Sequence, residues 1–272
     1  VFSSDSFASN FLSISGLSFN DFSNVSLISP IIGYFITLLR SRQICLILSN
    51  CKIEYRSCKI THIISILLVT LMTKIGLVGT GMLGEAVGLH LLESGHSLTA
   101  YNRTKSKTSN LEKNGAIISD TPKNVAGSSE LVITCVKDAD AVEQVLFGQD
   151  GIVDGKHENL TVAEMSTINP STAIHHSKRL GEEGIASLEI PVMGGPNVAI
   201  DGKLVLMASG SKDVFDKYKQ VLDTIANKTF FLGKSGSAHS IKIAMNLQIS
   251  LLALSLSEGI TLTKKAGFDP EK

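Results

Sequence analysis

The sequence predicts an α/β fold built on a doubly wound, mostly parallel sheet. Three observations carry that expectation. Short apolar runs recur from Lys74 to Leu232, helical patterns lie between them, and glycines close the first strand and the first helix. Strands buried on both faces read as unbroken apolar runs, and strands separated by helices pair in parallel.

The elements follow in order. Lys74–Gly79 (KIGLVG) reads as a buried strand ending in glycine. Met82–Glu93 has helical spacing, with Leu83, Ala86, Val87, Leu89 and Leu91 toward one side, and Gly95 stops it. Ser97–Asn102 and Leu131–Val136 (LVITCV) are the next strands. Thr161–Met165 and Ile185–Ile190 continue the series, each after a helical stretch, and Lys203–Ala208 and Thr229–Leu232 close the sheet. From about Ser237 to Lys265 the chain becomes one long helical pattern, ended by Gly267 and Pro270.

Composition narrows the function. The 272 residues suffice for one large or two ordinary domains. Lys+Arg and Asp+Glu both number 25, which excludes a polybasic nucleic-acid binder and an acidic tail. Charged residues at 18%, hydrophobic residues at 43% and only 6 prolines argue against a disordered chain. Four cysteines without paired spacing make no disulfide scaffold, so a reducing, cytoplasmic setting is expected.

Residues 1–71 read differently. They begin at Val1, are rich in serine, and hold Cys45, Cys51 and Cys58. Their longest uncharged run, Phe22 to Leu39, is broken by Ser23, Asn24, Ser26, Ser29 and Pro30, a poor match to the ~20 apolar residues of a spanning helix. The order of a secretory signal is missing too. The expectation is that Met72 starts the protein proper and residues 1–71 are an extension outside the fold, a membrane or targeting role being the alternative.

Gly79-Thr80-Gly81-Met82-Leu83-Gly84 fits G-x-G-x-x-G and sits between the first strand and the first helix. Gly79 allows the tight turn, Gly81 lets the backbone approach a pyrophosphate, and Gly84 permits close helix–strand packing. The helix amino terminus then offers free N–H groups to the phosphates. That is a Rossmann-like dinucleotide site. The second strand ends Tyr101-Asn102-Arg103-Thr104, with no carboxylate for a ribose diol. Arg103 offers a planar fork for a 2′-phosphate, Asn102 and Thr104 add neutral donors, and Lys105 and Lys107 add positive field. This favours NADP over NAD, against the alternative of an ordinary solvated loop.

Four stretches, in order, resemble the β-hydroxyacid dehydrogenases: GTGMLGEAV with GHSLTAYNRT, then MSTINP, then PVMGGPNVAIDG, then GKSGSAHSIKIAMN. That family includes 3-hydroxyisobutyrate dehydrogenase, tartronate semialdehyde reductase and the glyoxylate/succinic semialdehyde reductases, with 6-phosphogluconate dehydrogenases as more distant relatives. The resemblance implies that Val136 and Lys137 line the cofactor and that Thr167 contacts its nicotinamide end. It places the substrate carboxylate on Met193, Gly194 and Gly195, chiefly on backbone N–H groups. It makes Lys242 the catalytic lysine, with Asn246 one turn further on. Residues 72–235 are then the NADP-binding domain, and residues 236–272 the first long helix of an all-α domain cut short after Gly236. A full-length relative is implied to be a homo-oligomer. Two departures stand out: Met193 replaces a usual serine, and Met245 stands where asparagine is common.

The chemistry of the helix agrees with that placement. Lys242 and Asn246 are i and i+4 and share a face. Reducing an aldehyde needs a proton delivered to the developing alkoxide, which a lysine ammonium can supply, acting as base in reverse. A lone lysine on a helix is ordinarily solvated, but Ile241, Ile243, Ala244 and Leu247 make these surroundings apolar. The expected function is an NADP-preferring oxidoreductase that interconverts a short 3-hydroxy carboxylate and its semialdehyde. The alternatives are a non-catalytic dinucleotide-binding or interaction module, and an imine reductase on the same cofactor domain. The expected partner is a small carboxylate or semialdehyde, with no nucleic acid and no membrane. His175 and His176 read as solvated surface, His239 as a candidate for the cleft, and Cys135 as core. No spacing suggests a metal site or a Ser-His-Asp arrangement.

Overall fold

The computed structural model describes residues 73–269, so the readings made for residues 1–71 and for Pro270 lie outside the described residues. Strands β1 (Lys74–Val78), β2 (Ser97–Tyr101), β3 (Ile117–Ile118), β4 (Leu131–Thr134), β5 (Thr161–Glu164) and β6 (Ala186–Glu189) are all parallel, in the order β3-β2-β1-β4-β5-β6. The chain leaves β1 toward β2 and β3, then returns to its other side at β4. Loops above β1 and β4 therefore diverge at one end of the sheet, opening a crevice at the strand carboxyl ends.

The far edge changes direction. After β7 (Val192–Met193), strand β8 (Leu204–Gly210) runs antiparallel to both β6 and β7, and β9 (Ala226–Phe231) pairs parallel to β8. The pairs Leu188↔Gly210, Glu189↔Ser209, Val192↔Leu206 and Met193↔Val205 share one register. The Pro191 carbonyl accepts from the Met207 N–H at 3.0 Å in that same register, while Pro191 has no N–H to give. The ribbon thus continues past the proline and carries Met193 and Gly194 beyond the strand ends.

Helices α1 (Met82–Glu93), α2 (Ser109–Lys113), α3 (Pro122–Gly127), α4 (Ala139–Phe147), α5 (Pro170–Glu182), α6 (Pro196–Ala199) and α7 (Lys212–Ile225) cover the sheet. Alternation along the strands separates two cores. Ile75, Leu77, Leu131 and Ile133 pack with Val87 and Leu91 of α1 and Phe215, Tyr218 and Leu222 of α7. Val78, Val132 and Val162 face the other way, with Val125 of α3, Val142 and Leu146 of α4 and Leu180 of α5. Each such side chain contributes on the order of 1.5–3 kcal/mol.

Helix α8 (Ser237–Lys265) has the bounds read from the sequence. Its first turn is buried through Ala238 and His239, while Ile241, Leu247, Leu251, Leu254 and Leu262 further along are exposed. Among the described residues it is the one helix long and apolar enough to cross a membrane, with a mean hydropathy of 1.4 over its most apolar window.

Strands β1, β2, β4, β5, β6 and β9 end one or two residues earlier than the apolar runs suggest, whereas β8 runs past the expected Ala208 to Gly210 and β9 begins already at Ala226. Gly79, Asn102, Val136 and Met165 lie past the strands, in the loops that build the site. At Val136 the chain has left its ladder: the amide donates to the Ser166 hydroxyl at 2.9 Å instead of to a strand.

Candidate active site

The glycine turn is fixed by crowding behind it and openness in front. Gly79 has φ +101° and donates its N–H to the Tyr101 carbonyl at 2.9 Å. A Cβ there would stand 2.2 Å from the Cys135 carbonyl oxygen, and one on Gly84 would stand 2.1 Å from the Gly79 carbonyl. Gly81 has φ −67°, which any residue adopts, and a Cβ there would meet nothing within 4 Å. Its value is therefore space. No side chain caps α1, whose first-turn amides open beside Gly81, so the turn fits a pyrophosphate, and any side chain at position 81 would intrude on that approach. Met82 is exposed and Leu83 half-buried beside it.

Thr80 is buried and ties the turn to the second strand. Its N–H donates to Asn102 Oδ1 at 3.1 Å, and its hydroxyl donates to the Lys107 carbonyl at 2.9 Å. Asn102 Nδ2 donates to the Thr104 carbonyl at 3.0 Å. Asn102 is thus a clamp as well as a candidate donor, a role the sequence reading missed. Arg103 and Thr104 are exposed at the rim. Lys105 is paired with Asp120 at 3.0 Å and Lys137 with Asp138 at 3.0 Å, whereas Arg103 has no such partner among the described residues. The Asp138 carboxylate, cap of α4, is held below its usual range by the Ala141 N–H first, then by Lys137, with a smaller contribution from Arg103.

At the next strand ends, Val136 borders Gly79, with its Cγ1 2.8 Å from where a Gly79 Cβ would stand. Ser166, which accepts from the Val136 amide, precedes the exposed Thr167. Cys135 packs, partly buried, against the first core: burial, and then the charge of Glu164, push its thiol up to about 12, which removes it as a nucleophile.

Lys242 reaches the end of β7. Its Nζ lies 3.1 Å from Met193 Sδ, beside the exposed Gly194 and Gly195. Gly194 has φ +116°, and a Cβ there would press to 2.9 Å on Leu204. Lys242 and Asn246 are the half-buried residues of this stretch of α8, between exposed neighbours Ile241, Ile243, Ala244 and Met245. Burial alone pushes the Lys242 ammonium below the usual lysine range; no neighbouring cation contributes. The Asn246 side-chain amide makes no hydrogen bond among the described residues, so no hydrogen bond joins it to Lys242 on their shared face.

The sequence reading missed two buried glutamates, although each ends an apolar strand run. Glu164 of β5 accepts from the Thr134 hydroxyl at 2.6 Å and the Ser166 N–H at 2.6 Å. Burial outweighs these bonds and pushes its carboxyl up to about 7. Glu189 of β6 accepts from the Ser209 hydroxyl at 2.7 Å, the Gly236 N–H at 2.5 Å, the Ser235 hydroxyl, and His239 Nδ1 at 3.0 Å. Burial would push Glu189 up as well, but those four donors, His239 foremost, pull it down to about 2. His239 is fully buried, so it anchors α8 and does not face the cleft. His176 is also buried, against Phe147 and within 3.1 Å of Glu143, where the sequence suggested open surface. Among the described residues no group of three His, Cys, Asp or Glu is placed to hold a metal.

Comparison with known proteins matches the part of the chain that carries this fold. Residues 74–233 match the family described as the NAD binding domain of 6-phosphogluconate dehydrogenase. An uncharacterized oxidoreductase of Bacillus subtilis, YfjR, is 34% identical over 73% of this chain and 70% of its own length. The chloroplastic glyoxylate/succinic semialdehyde reductase 2 of Arabidopsis thaliana is 31% identical over 72% of this chain, which spans 55% of that relative. The crystal structure of 3-hydroxyisobutyrate dehydrogenase from Salmonella typhimurium superposes with a TM-score of 0.67 at 28% identity, over 72% of this chain and 69% of that one.

Proposed function

The chain belongs to the family of the NAD binding domain of 6-phosphogluconate dehydrogenase, and from that premise we propose that it reduces a short semialdehyde carboxylate with NADPH, forming the 3-hydroxy carboxylate. At the coarser level it is an NAD(P)-dependent oxidoreductase of the 3-hydroxyisobutyrate dehydrogenase-like group. The observation that carries the finer reading is the 3.1 Å approach of Lys242 Nζ to Met193, the last residue of β7. It brings an ammonium group, half withdrawn from water, to the strand end that Gly194 and Gly195 follow.

The dinucleotide supplies the hydride when bound. The chain's own residues supply the rest. Gly79, Gly81 and Gly84 with the α1 amides hold the pyrophosphate. Arg103, Asn102 and Thr104 receive the 2′-phosphate, with Lys105 and Lys107 adding field. Val136, Lys137 and Thr167 line the approach to the nicotinamide end. Gly194 and Gly195 anchor the carboxylate, Lys242 gives its proton to the developing alkoxide oxygen, and Asn246 steadies that oxygen.

The test compares the whole chain with its Lys242→Ala variant on malonate semialdehyde and its 2-methyl derivative, whose reduction gives 3-hydroxy carboxylates, with NADPH. The expected loss of turnover is about a hundredfold or more, with NADPH affinity unchanged. Retained turnover in the variant rejects Lys242 as the acid. NADPH binding without turnover of either aldehyde by the unmodified chain favours a non-catalytic dinucleotide module.

A further inference from the structure

Hydrogen-bond bookkeeping around His239 determines which atoms carry protons. His239 Nε2 lies 3.0 Å from the Ser166 carbonyl oxygen, which can only accept. Its Nδ1 lies 3.0 Å from Glu189 Oε2. Glu189 is surrounded by donors: the Gly236 N–H and the Ser235 hydroxyl on Oε1, and the Ser209 hydroxyl on Oε2. Ser209 has one hydrogen, and its oxygen already accepts the Ala238 N–H at 3.1 Å, so that hydrogen goes to Glu189. The contact between His239 Nδ1 and Glu189 Oε2 holds one proton, and the three other donors crowded onto the carboxyl stabilise it as a carboxylate, so that proton stays on the ring nitrogen. The ring, facing an acceptor at each nitrogen, donates twice and is an imidazolium.

The same atoms connect the two halves of the site. Gly236, at φ +90°, caps α8 without a side chain of its own, and Glu189 and Ser209 take up its first amides from β6 and β8. A carboxylate at that end also complements the helix dipole. His239 bonds the carbonyl of Ser166, whose hydroxyl holds Val136 and whose next residue is Thr167. Lys242 follows His239 by three residues, one turn along the same helix. Glu164, on the neighbouring strand, is the other ionisable side chain whose charge is coupled to the ring.

We propose that Glu189 and His239 form a buried carboxylate–imidazolium pair whose function is to position Lys242 against the strand ends carrying Val136 and Thr167. They are positioning residues, since neither reaches the exposed cleft. The inference rests on Lys242 being the proton donor, and its test is readable on a chain that turns nothing over.

Two measurements on the whole chain decide it. Nitrogen-15 histidine spectra of the unmodified protein at pH 7 should show His239 protonated at both ring nitrogens. A neutral tautomer overturns the ion pair. In the second, the lysines are reductively methylated with carbon-13, and the Lys242 signal is identified by its loss in Lys242→Arg. His239→Gln and Glu189→Gln should each move its titration midpoint by about half a unit or more, with NADPH affinity within about twofold. Lowered melting temperatures with an unmoved Lys242 midpoint mean that the pair is merely structural and overturn the proposal. If neither variant folds, Ser209→Ala removes one donor to the pair and is held to the same criterion. Failure of the reductase reading would appear separately, as an absence of turnover in a chain whose Lys242 midpoint still responds.

Discussion

Lys242 Nζ and Met193 Sδ meet at 3.1 Å, joining helix α8 to the end of strand β7. A thioether is a weak acceptor, so the ammonium is sheltered without being strongly bound. That is the condition in which a proton passes readily to a stronger acceptor, such as an alkoxide formed beside it. The contact also explains why Met193, in place of a serine, is compatible with the site: its flexible side chain lies along the lysine and leaves the glycine amides exposed.

Met193→Ser exchanges that contact for a hydroxyl. The added donor should lower KM for a carboxylate-bearing aldehyde by about three- to tenfold, the effect of one hydrogen bond of about 1 kcal/mol. Steady-state kinetics on malonate semialdehyde check this; an unchanged or raised KM would place the carboxylate elsewhere.

The glycine turn separates two effects. Gly84→Ala drives a methyl onto the Gly79 carbonyl, 2.1 Å from its ideal position, and should destabilise the fold by about 1–3 kcal/mol or more. Gly81→Ala meets no protein atom within 4 Å, so stability should stay within about 0.5 kcal/mol while NADPH binding weakens about tenfold or more. Thermal melts and cofactor titrations of the two variants should show opposite patterns, and a Gly81→Ala chain that binds normally would remove the pyrophosphate from this turn.

Buried Glu164 gives stability a pH dependence of definite sign. Its carboxyl goes from 4.5 in the unfolded chain to about 7 in the fold, so the folded state binds more protons between those values and stability falls as pH rises through them. The loss is on the order of 3 kcal/mol. Glu189, pulled down to about 2, acts oppositely: its contribution is full above 4.5 and is lost as pH falls toward 2. Urea midpoints should therefore peak near pH 5, and Glu164→Gln should flatten the decline between pH 5 and 7. A slope unchanged in that variant would assign the decline to another group.

Much of this architecture is legible locally. The bounds of α1 and α8 follow from helical spacing stopped by Gly95 and Gly267, and Lys242 and Asn246 declare a shared face by their separation alone. The antiparallel β8 is harder to see, because the apolar run LVLMAS looks like those of the parallel strands. The hint lies in its connection: from Met193 to Leu204 there is room only for the four-residue α6, short of a crossover helix. Two-residue strands β3 and β7 are too short to alternate. The Glu189 network is invisible for a different reason. Its partners Ser209, Ser235 and His239 lie 20, 46 and 50 residues away, and only the folded register of β6 on β8 brings them together. Periodicity could bring His239 near the sheet but could not say that both its nitrogens were already committed.

The most direct test is a fluorescence titration of the whole chain with NADPH and, separately, NADH, repeated on Arg103→Ala. Arg103 stands exposed at the end of β2 with no ion-pair partner among the described residues. Saturable binding with NADPH preferred by about tenfold or more, and that preference lost in the variant, is the predicted result. Equal affinity for both dinucleotides would keep the fold and reject the reading of Arg103, and binding of neither would contradict a working dinucleotide site in this chain.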